Sequence, residues 1–377
     1  MKKLFAIAVL LLASATLAQT VVGVNLELSG RFATIGNTTL QGIETALAIS
    51  DADIELSICD NETTVEGSVG CANRFVDEGV TAVLGPISTT QAIPAAEVLQ
   101  DAGVVMVTTS STNPATTQVG DYIFRMAYTD DFQGRVAARY AVDDLGAQNA
   151  IIFRQQDDDY SFGLANFFDE EFQNLGGSTQ VVDYVANTVD FAAQINDVLD
   201  VEADVIYFSG FCAEGATLIP ALRAAGFDQQ ILGADASDDS QCPEGGGEAF
   251  DGFLFTGFGG AEVLEGDAAA RATDFESNFI LENPDFTDFN GFTLAGADSL
   301  NVVAEAISVA GDGSDVDAVR DALAGLDGYA GVTGDITYAG TDGTPADRTI
   351  AFFQYVVPAD TDAGWDSVSQ FGVSTSE

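Results

Sequence analysis

Short apolar runs alternate along this chain with longer segments in which apolar residues recur every three or four positions. The runs, for example residues 20–28, 81–84 and 104–107, lead into Gly, Pro or hydroxyl residues, which is typical of buried strands that open into polar loops. The longer segments, for example residues 37–50 and 65–78, have helical spacing. This alternation predicts βαβ units and a parallel sheet covered on both faces.

The alternation then starts again, so the chain predicts two such units. Further strands are predicted at residues 54–58, 122–124, 150–153, 179–185, 204–209, 231–233, 253–256, 334–338 and 349–357. Further helices are predicted from about residue 90 and at residues 130–145, 162–175, 191–199, 213–225, 268–280, 292–310 and 316–326. We expect an α/β protein of two lobes, since the length favours two domains over one.

The late helices fit the first lobe, which requires the chain to cross repeatedly between the lobes. Crossings are predicted near residues 127–130, 256–260 and 331–335, and several crossings of this kind form a hinge. The expected division is residues 1–18 as a signal peptide, residues 19–127 with 258–333 as lobe 1, and residues 128–257 with 334–377 as lobe 2.

Two of the predicted loops are rich in hydroxyl groups. Residues 85–91 read Gly-Pro-Ile-Ser-Thr-Thr-Gln, and residues 108–114 read Thr-Thr-Ser-Ser-Thr-Asn-Pro. Pro94 is tolerated only in the first turn of a helix, which places Ser88 and Thr89 at the helix mouth. Hydroxyl groups and the free N–H groups of a helix start, at the carboxyl edge of a parallel sheet, predict a binding site for a small anion such as a carboxylate.

The second lobe offers acidic and aromatic residues near its strand ends. Asp235 directly follows a predicted strand, where its carboxylate could face a cleft and meet a ligand ammonium; the alternative is a solvated loop aspartate. Tyr160 and Phe211 could wall the cleft or belong to the core. The run at residues 157–159 is expected to be a solvated turn rather than a metal site.

The first residues predict export from the cytoplasm. Residues 1–18 combine a basic start, a short apolar run and small residues, which predicts a signal peptide cleaved after Ala18 and a periplasmic or otherwise secreted chain. No Cys follows the cut, so a lipid anchor is not indicated. No later apolar run reaches the roughly 20 residues that cross a bilayer.

Charge and composition exclude several classes of function. Without Lys2 and Lys3 the chain has 59 acidic and 10 basic residues, all ten of them Arg, and no Lys or His. A Ser-His-Asp triad, a Schiff-base lysine, a Walker lysine and a His-ligated zinc are therefore excluded. The acidity also excludes nucleic acid as a partner and indicates a salty exterior, with calcium binding by acidic loops as the alternative. We expect no enzyme activity, no cofactor and no resident metal.

Four cysteines remain, and an exported chain favours their oxidation. The order of the cysteines along the chain favours disulfides between Cys59 and Cys71 and between Cys212 and Cys242, although four cysteines allow three pairings. No CxxC spacing indicates a metal or redox role.

An ordered set of short motifs resembles a known family. The motifs are Leu28-Ser-Gly30, Gly85-Pro-Ile-Ser88, Ser111-Thr-Asn-Pro114, Phe124-Arg125, Asp131-Phe-Gln-Gly134, Asp159-Tyr160 with Gly163-Leu-Ala165, Gly176-Gly177, Asp190-Phe191 and Gly334-Asp-Ile-Thr337. In this order they resemble the periplasmic substrate-binding proteins of branched-chain amino-acid ABC transporters, the leucine/isoleucine/valine-binding type. The resemblance covers nearly all of the chain after the signal peptide.

The resemblance implies a type I periplasmic-binding-protein fold, in which two doubly wound lobes close on an amino acid. It assigns the ligand carboxylate to Ser88, Thr89, Ser110 and Thr112, the ligand ammonium to Asp235, and aromatic walls to Tyr160 and Phe211. Asp235 stands where well-known members carry Glu, and Phe211 where Tyr is common. Relatives of this class also bind amides, urea and aromatic acids.

These observations predict an exported receptor that captures an amino acid, branched-chain or otherwise apolar, and delivers it to the membrane permease of an ABC transporter. We expect it to be monomeric. The alternatives are a sensor for amides, urea or another small polar solute coupled to signalling, and a metal-dependent hydrolase that uses residues 157–159 or Asp235, Asp238 and Asp239.

Overall fold

The computed structural model describes residues 20–286, 288–311, 313–356 and 371–374. The predicted signal peptide and its cleavage site lie outside these residues. The strands are β1 (Thr20–Leu26), β2 (Ile54–Asp60), β3 (Ala82–Leu84), β4 (Val105–Thr108), β5 (Ile123–Arg125), β6 (Asn149–Gln155), β7 (Ser178–Tyr184), β8 (Val205–Phe208), β9 (Gln230–Gly233), β10 (Leu254–Phe258), β11 (Tyr329–Gly331), β12 (Gly334–Ile336), β13 (Thr349–Gln354) and β14 (Phe371–Ser374).

The helices are α1 (Ala33–Ile49), α2 (Val65–Glu78), α3 (Thr89–Ala102), α4 (Asp130–Asp143), α5 (Asp159–Asn174), α6 (Ala192–Asn196), α7 (Cys212–Ala224), α8 (Gln241–Gly246), α9 (Gly266–Glu282), α10 (Gly291–Ala310) and α11 (Val316–Ala324). Short 3₁₀ helices span Pro114–Val119, Asp235–Ser237 and Gly247–Phe250.

Two sheets form the centres of two lobes. The first has the parallel order β2-β1-β3-β4-β5. The second has the order β14-β13-β10-β9-β8-β6-β7, in which β6 to β10 are parallel and β13 and β14 are antiparallel. Strands β3, β4 and β8 are buried at every position, as expected for sheets covered on both faces. The predicted α/β fold of two parallel-sheet lobes is confirmed.

The late helices return to the first lobe, as their apolar faces predict. Helix α10 packs closely on α1 because glycines lie at the crossing. A Cβ atom at Gly42 would lie only 2.0 Å from the carbonyl oxygen of Thr293, and one at Gly296 would lie 2.4 Å from that of Thr39. Larger residues at either glycine would force the two helices apart.

Three connections within the described residues join the lobes: between β5 and α4, between β10 and α9, and before β13. The predicted third crossing near residues 331–335 instead coincides with the β11–β12 hairpin. The chain remains beside β5 as far as Gly343, whose carbonyl accepts the N–H of Arg125 at 2.9 Å. This backbone bond holds the segment against the first lobe, so the chain crosses to the second lobe only after Gly343.

The first and third crossings are tied together by buried polar contacts. The Arg348 guanidinium donates to the carbonyl of Met126 at 3.0 and 2.9 Å and to the Thr333 hydroxyl at 2.8 Å. The Asp298 carboxylate, on α10, accepts from the backbone N–H groups of Val332 and Thr333. Helix α10 and two of the crossings therefore form one bonded unit at the hinge.

Several local predictions differ from the structure. Helix α5 begins at Asp159 rather than residue 162, because the Asp158 side chain caps it by accepting the N–H of Ser161 at 2.9 Å. The helix expected at residues 191–199 is only five residues long. Helix α8 and strands β11 and β14 were not predicted. The structure contains the disulfides Cys59–Cys71 and Cys212–Cys242, the pairing that local order favours.

Candidate functional site

A small cavity lies between the lobes, at the carboxyl ends of the parallel strands. Its first-lobe lining consists of Phe32, Ile35, Ile87, Ser88, Thr89, Ser110 and Phe292, and its second-lobe lining of Tyr160, Phe211, Asp235 and Ala236. Six of the seven predicted ligand-binding residues therefore meet in one cavity. The exception is Thr112.

The hydroxyl groups of the first lobe come from the two predicted loops. Ser88 immediately precedes α3 and adopts an extended backbone, and its hydroxyl donates to the side chain of Gln91. The Thr89 hydroxyl lies 3.1 Å from that of Ser111, and the Ser110 hydroxyl donates to the carbonyl of Ile87 at 3.3 Å. These contacts hold three neutral hydroxyl groups on one wall of the cavity.

Thr112 lies outside the cavity lining. Its side chain is fully buried, and its carbonyl accepts the N–H of Asp130 at 2.9 Å. This bond directs residue 112 towards the start of α4, whereas Ser110 faces the cavity. A direct contact of Thr112 with a ligand is therefore not supported by the geometry.

Arg125 holds the hydroxyl-rich loop at residues 108–114 in place without lining the cavity itself. Its fully buried guanidinium donates to the carbonyls of Ser111 and Asn113 at 2.8 and 2.9 Å and to the Thr117 hydroxyl at 3.1 Å. Burial lowers the pKa of Arg125 to about 10, which still leaves it charged at neutral pH. The loop is thus fixed by a buried cation that does not itself line the cavity.

Glu27, which the sequence analysis missed, lies directly behind the wall. Its carboxylate accepts the backbone N–H groups of Ile87 and Ser88, both at 3.2 Å, and the residue is completely buried. Burial raises the pKa of Glu27 to about 7, although the two backbone hydrogen bonds oppose this rise. A charged residue inside the largely apolar run at residues 20–28 is the signal that could have found it.

Asp235 faces these donors from the second lobe. It begins the short 3₁₀ helix after β9 and is 3% exposed. Its Oδ1 accepts from the Tyr160 hydroxyl and from the Gln133 amide, both at 2.7 Å. Burial raises the pKa of Asp235 to about 6 against the opposing effect of these two bonds. A cation in the cavity would stabilise this carboxylate.

Aromatic and aliphatic side chains form the remaining walls. The ring of Phe211, which precedes α7, lies 4.3 Å from that of Phe32 and 5.4 Å from that of Tyr160, measured between centroids. Phe292 enters from the first turn of α10, where Asn290 caps the helix. Phe32, Ile35 and Phe292 were not predicted, because they lie at the starts of α1 and α10, two distant segments that only the folding of the first lobe brings together.

The acidic run at residues 157–159 is only partly the predicted solvated turn, because Asp157 and Asp159 are exposed whereas Asp158 is buried. Asp158 is 3% exposed and caps α5, while Asp157 accepts the N–H of Ala186. Within the described ranges, no group of three or more Asp, Glu, Cys or His side chains has the arrangement of a metal site. The same ranges contain no helix that is both long and apolar enough to span a bilayer.

Known proteins share both the sequence pattern and the fold. The chain is 29% identical over 353 residues to the Leu/Ile/Val-binding protein BraC3 of Rhizobium johnstonii, which covers 90% of this chain and 94% of that protein. It is 30% identical to an amino acid binding protein of Pseudomonas aeruginosa, over 82% of this chain and 86% of that protein. The crystal structure of the leucine binding protein LivK from Thermotoga maritima superposes with a TM-score of 0.86 at 26% identity, covering 93% of this chain and 98% of that one.

A family model, that of the periplasmic binding proteins, matches residues 19–362. This match spans both lobes and includes every residue that lines the cavity. The resemblance drawn from the short motifs is confirmed, and its family consists of solute-binding receptors rather than enzymes. The chain belongs to the periplasmic binding protein family.

Proposed function

We propose that this protein captures an amino acid with an apolar side chain by closure of its two lobes and delivers it to the permease of an ABC transporter. The observation that carries the proposal is the placement of Asp235 opposite the hydroxyl groups of Ser88, Thr89 and Ser110, in one cavity between the lobes. A zwitterionic ligand presents a carboxylate and an ammonium at opposite sides of one carbon. The two walls offer complementary partners for these groups.

The rest of the lining favours an apolar side chain. Beyond the polar groups, the walls consist mainly of Phe, Ile and Ala, with Tyr160 already bonded to Asp235. Burying a charged side chain against such walls would cost several kcal/mol, whereas burying Leu, Ile or Val gains about 1.5–3 kcal/mol. The names of the relatives, Leu/Ile/Val-binding protein and leucine binding protein, agree with this ligand class.

We infer that the protein captures its ligand by closing its two lobes. A ligand that touches both lobes stabilises the closed state by its differential affinity for that state. Its carboxylate would accept from Thr89, and from Ser88 and Ser110 once their hydroxyl protons turn to the ligand from the Gln91 side chain and the Ile87 carbonyl. Its ammonium would pair with Asp235, while Tyr160 and Phe211 cover its side chain. Thr112 is left out of this set because it does not line the cavity. No step of this mechanism changes a covalent bond, so we infer a receptor without enzyme activity.

The sequence supports an inference about where the protein works. We infer that residues 1–18 are removed, that the mature chain works outside the cytoplasm as a monomer, and that its strong acidity suits a salty medium. Neighbouring genes for permease and ATPase subunits would favour transport over sensing.

A thermal-shift screen tests the proposed ligand class. The mature chain would be screened in high salt against the twenty amino acids, short amides, urea and benzoate. A ligand that binds only the folded state raises the melting temperature. We expect leucine, isoleucine and valine to give the largest increases, and aspartate, lysine and urea to give none. A response confined to urea, amides or benzoate would refute the proposal.

A further inference from the structure

One arginine of the first lobe reaches across the cleft beside the cavity. Arg31 lies in the loop between β1 and α1, and its Nη1 is 3.1 Å from Oε1 of Glu214 and 3.2 Å from Oε1 of Gln155. Its Nη2 is 3.8 Å from Oδ2 of Asp158. All three partners belong to the second lobe, so these contacts exist only when the lobes are together.

The same guanidinium lies against the aromatic wall of the cavity. Its central carbon is 4.4 Å from the ring centroid of Phe32 and 4.9 Å from that of Phe211. The two rings come from different lobes, and both line the cavity. Arg31 therefore adds a cation–π contact on the outer side of the ring pair that the ligand would touch from within.

The two acidic partners depend on Arg31 for charge compensation. The side chain of Glu214 is 2% exposed and that of Asp158 is 3% exposed. Glu214 Oε1 also accepts the N–H of Asn187 at 2.8 Å, but its buried Oε2 has no hydrogen-bond partner in the described part of the chain. Burial raises the pKa of Asp158, and Arg31 opposes that rise. Both ion pairs of these carboxylates, among the described residues, go to Arg31.

We propose that Arg31 is a positioning residue that latches the lobes over the bound ligand. This inference rests on the proposed function, because it assigns Arg31 a share of the closure that holds an amino acid. In an open receptor the cleft widens, so water can compensate Glu214 and Asp158. In the closed receptor Arg31 is the cation that pairs with both carboxylates, and removing one partner of a buried pair penalises the state in which the other partner is buried.

The latch forms after the ligand has entered, so it acts on release rather than capture. The variant Arg31→Gln should weaken leucine binding at least about tenfold, with the loss in the dissociation rate and little change in the association rate. Calorimetry gives the affinity, and the release of radiolabelled leucine on dilution gives the dissociation rate. A general loss of structure would instead reduce the active fraction and lower the melting temperature of the ligand-free protein, which we expect to stay the same.

Two further variants sharpen the test. In Arg31→Gln combined with Glu214→Gln, one of the two carboxylates that lost their cation is neutral, so leucine should bind at least about threefold more tightly than to Arg31→Gln alone. The matched control is Arg139→Gln, which loses the same charge from an exposed pair with Glu171 inside the second lobe. This control should bind leucine as the wild type does.

The outcomes separate the latch from the function on which it rests. If the wild type binds no amino acid, both the proposed function and the latch fail. If the wild type binds leucine and Arg31→Gln releases it at the same rate, only the latch is refuted. A double variant no tighter than the single variant would likewise refute the charge-compensation argument.

Discussion

Replacing Asp235 by asparagine should have opposite effects on affinity and on stability. Asparagine keeps the shape of the side chain, and its Oδ1 can still accept from Tyr160 and Gln133. What it loses is the negative charge that faces the cavity. The variant therefore removes the proposed partner of the ligand ammonium while leaving the wall in place.

The expected loss of affinity follows from the strength of a charge-assisted contact. Such a contact contributes about 1.5–3 kcal/mol, so the dissociation constant for leucine should rise roughly tenfold to 150-fold. The ligand-free variant should nevertheless be more stable near neutral pH. The raised pKa of Asp235, about 6 instead of 3.8, corresponds to a penalty of about 3 kcal/mol for the ionised, buried carboxyl above pH 6. This penalty disappears as the pH falls towards 3.8.

Calorimetry with leucine at pH 7.5 would measure the affinity, and urea denaturation at pH 7.5 and pH 4 would measure the stability. The matched control is Asp239→Asn, since Asp239 is also buried and has a pKa raised by burial to about 6, but lies outside the cavity lining. We expect this control to bind leucine normally. Unchanged affinity in Asp235→Asn would remove Asp235 from the site, and equal losses in both variants would show a general effect of neutralising buried acids.

Three further results follow from the same geometry. Leucine affinity of the wild type should fall about tenfold between pH 7 and pH 5, because free Asp235 takes up a proton as the pH falls through about 6; calorimetry in Asp235→Asn should show no such fall. Thr89→Val should weaken leucine binding about tenfold, because it removes a hydrogen-bond donor from the cavity wall. Thr112→Val should change the affinity less than about threefold, because Thr112 does not line the cavity. Equal losses of affinity in direct titrations would contradict this placement of Thr112. Replacing Cys212 and Cys242 together by serine should lower the free energy of unfolding in urea by about 2–4 kcal/mol, since their disulfide closes a separation of 30 residues; an unchanged denaturation midpoint would oppose this view.

Features that depend on nearby residues were predictable from the sequence. Apolar runs that end in Gly, Pro or hydroxyls mark the strands of both sheets. The predicted start of α3 near residue 90 is within one residue of the actual start, although Pro94 is the sixth helical residue and lies beyond the first turn. Position at a strand end, together with the resemblance, was enough to select Ser88, Thr89 and Asp235. The structure brings these three residues to one cavity, because loops at the carboxyl edge of a parallel sheet converge whatever the details of packing.

Features that depend on how distant segments meet were not predictable. Phe32 and Phe292 look like ordinary apolar residues at helix starts, and only the packing of α10 on α1 brings them to the same cavity. Gln133 bonds to Asp235 across 102 positions of the chain. Thr112 is chemically similar to Ser110, but a single backbone bond to Asp130 directs it elsewhere. Strand β14 pairs with β13 only after a long intervening segment.

The bonded unit at the hinge has a consequence for how such a receptor can be adapted. Asp298, Thr333, Arg348 and Met126, which tie α10 to two crossings, are absent from the cavity lining. The machinery of motion and the determinants of selectivity thus occupy separate sets of residues. New nutrients can be accommodated by exchanging side chains on the cavity walls while the bending mechanism is inherited unchanged, which makes this scaffold a suitable starting point for engineered biosensors.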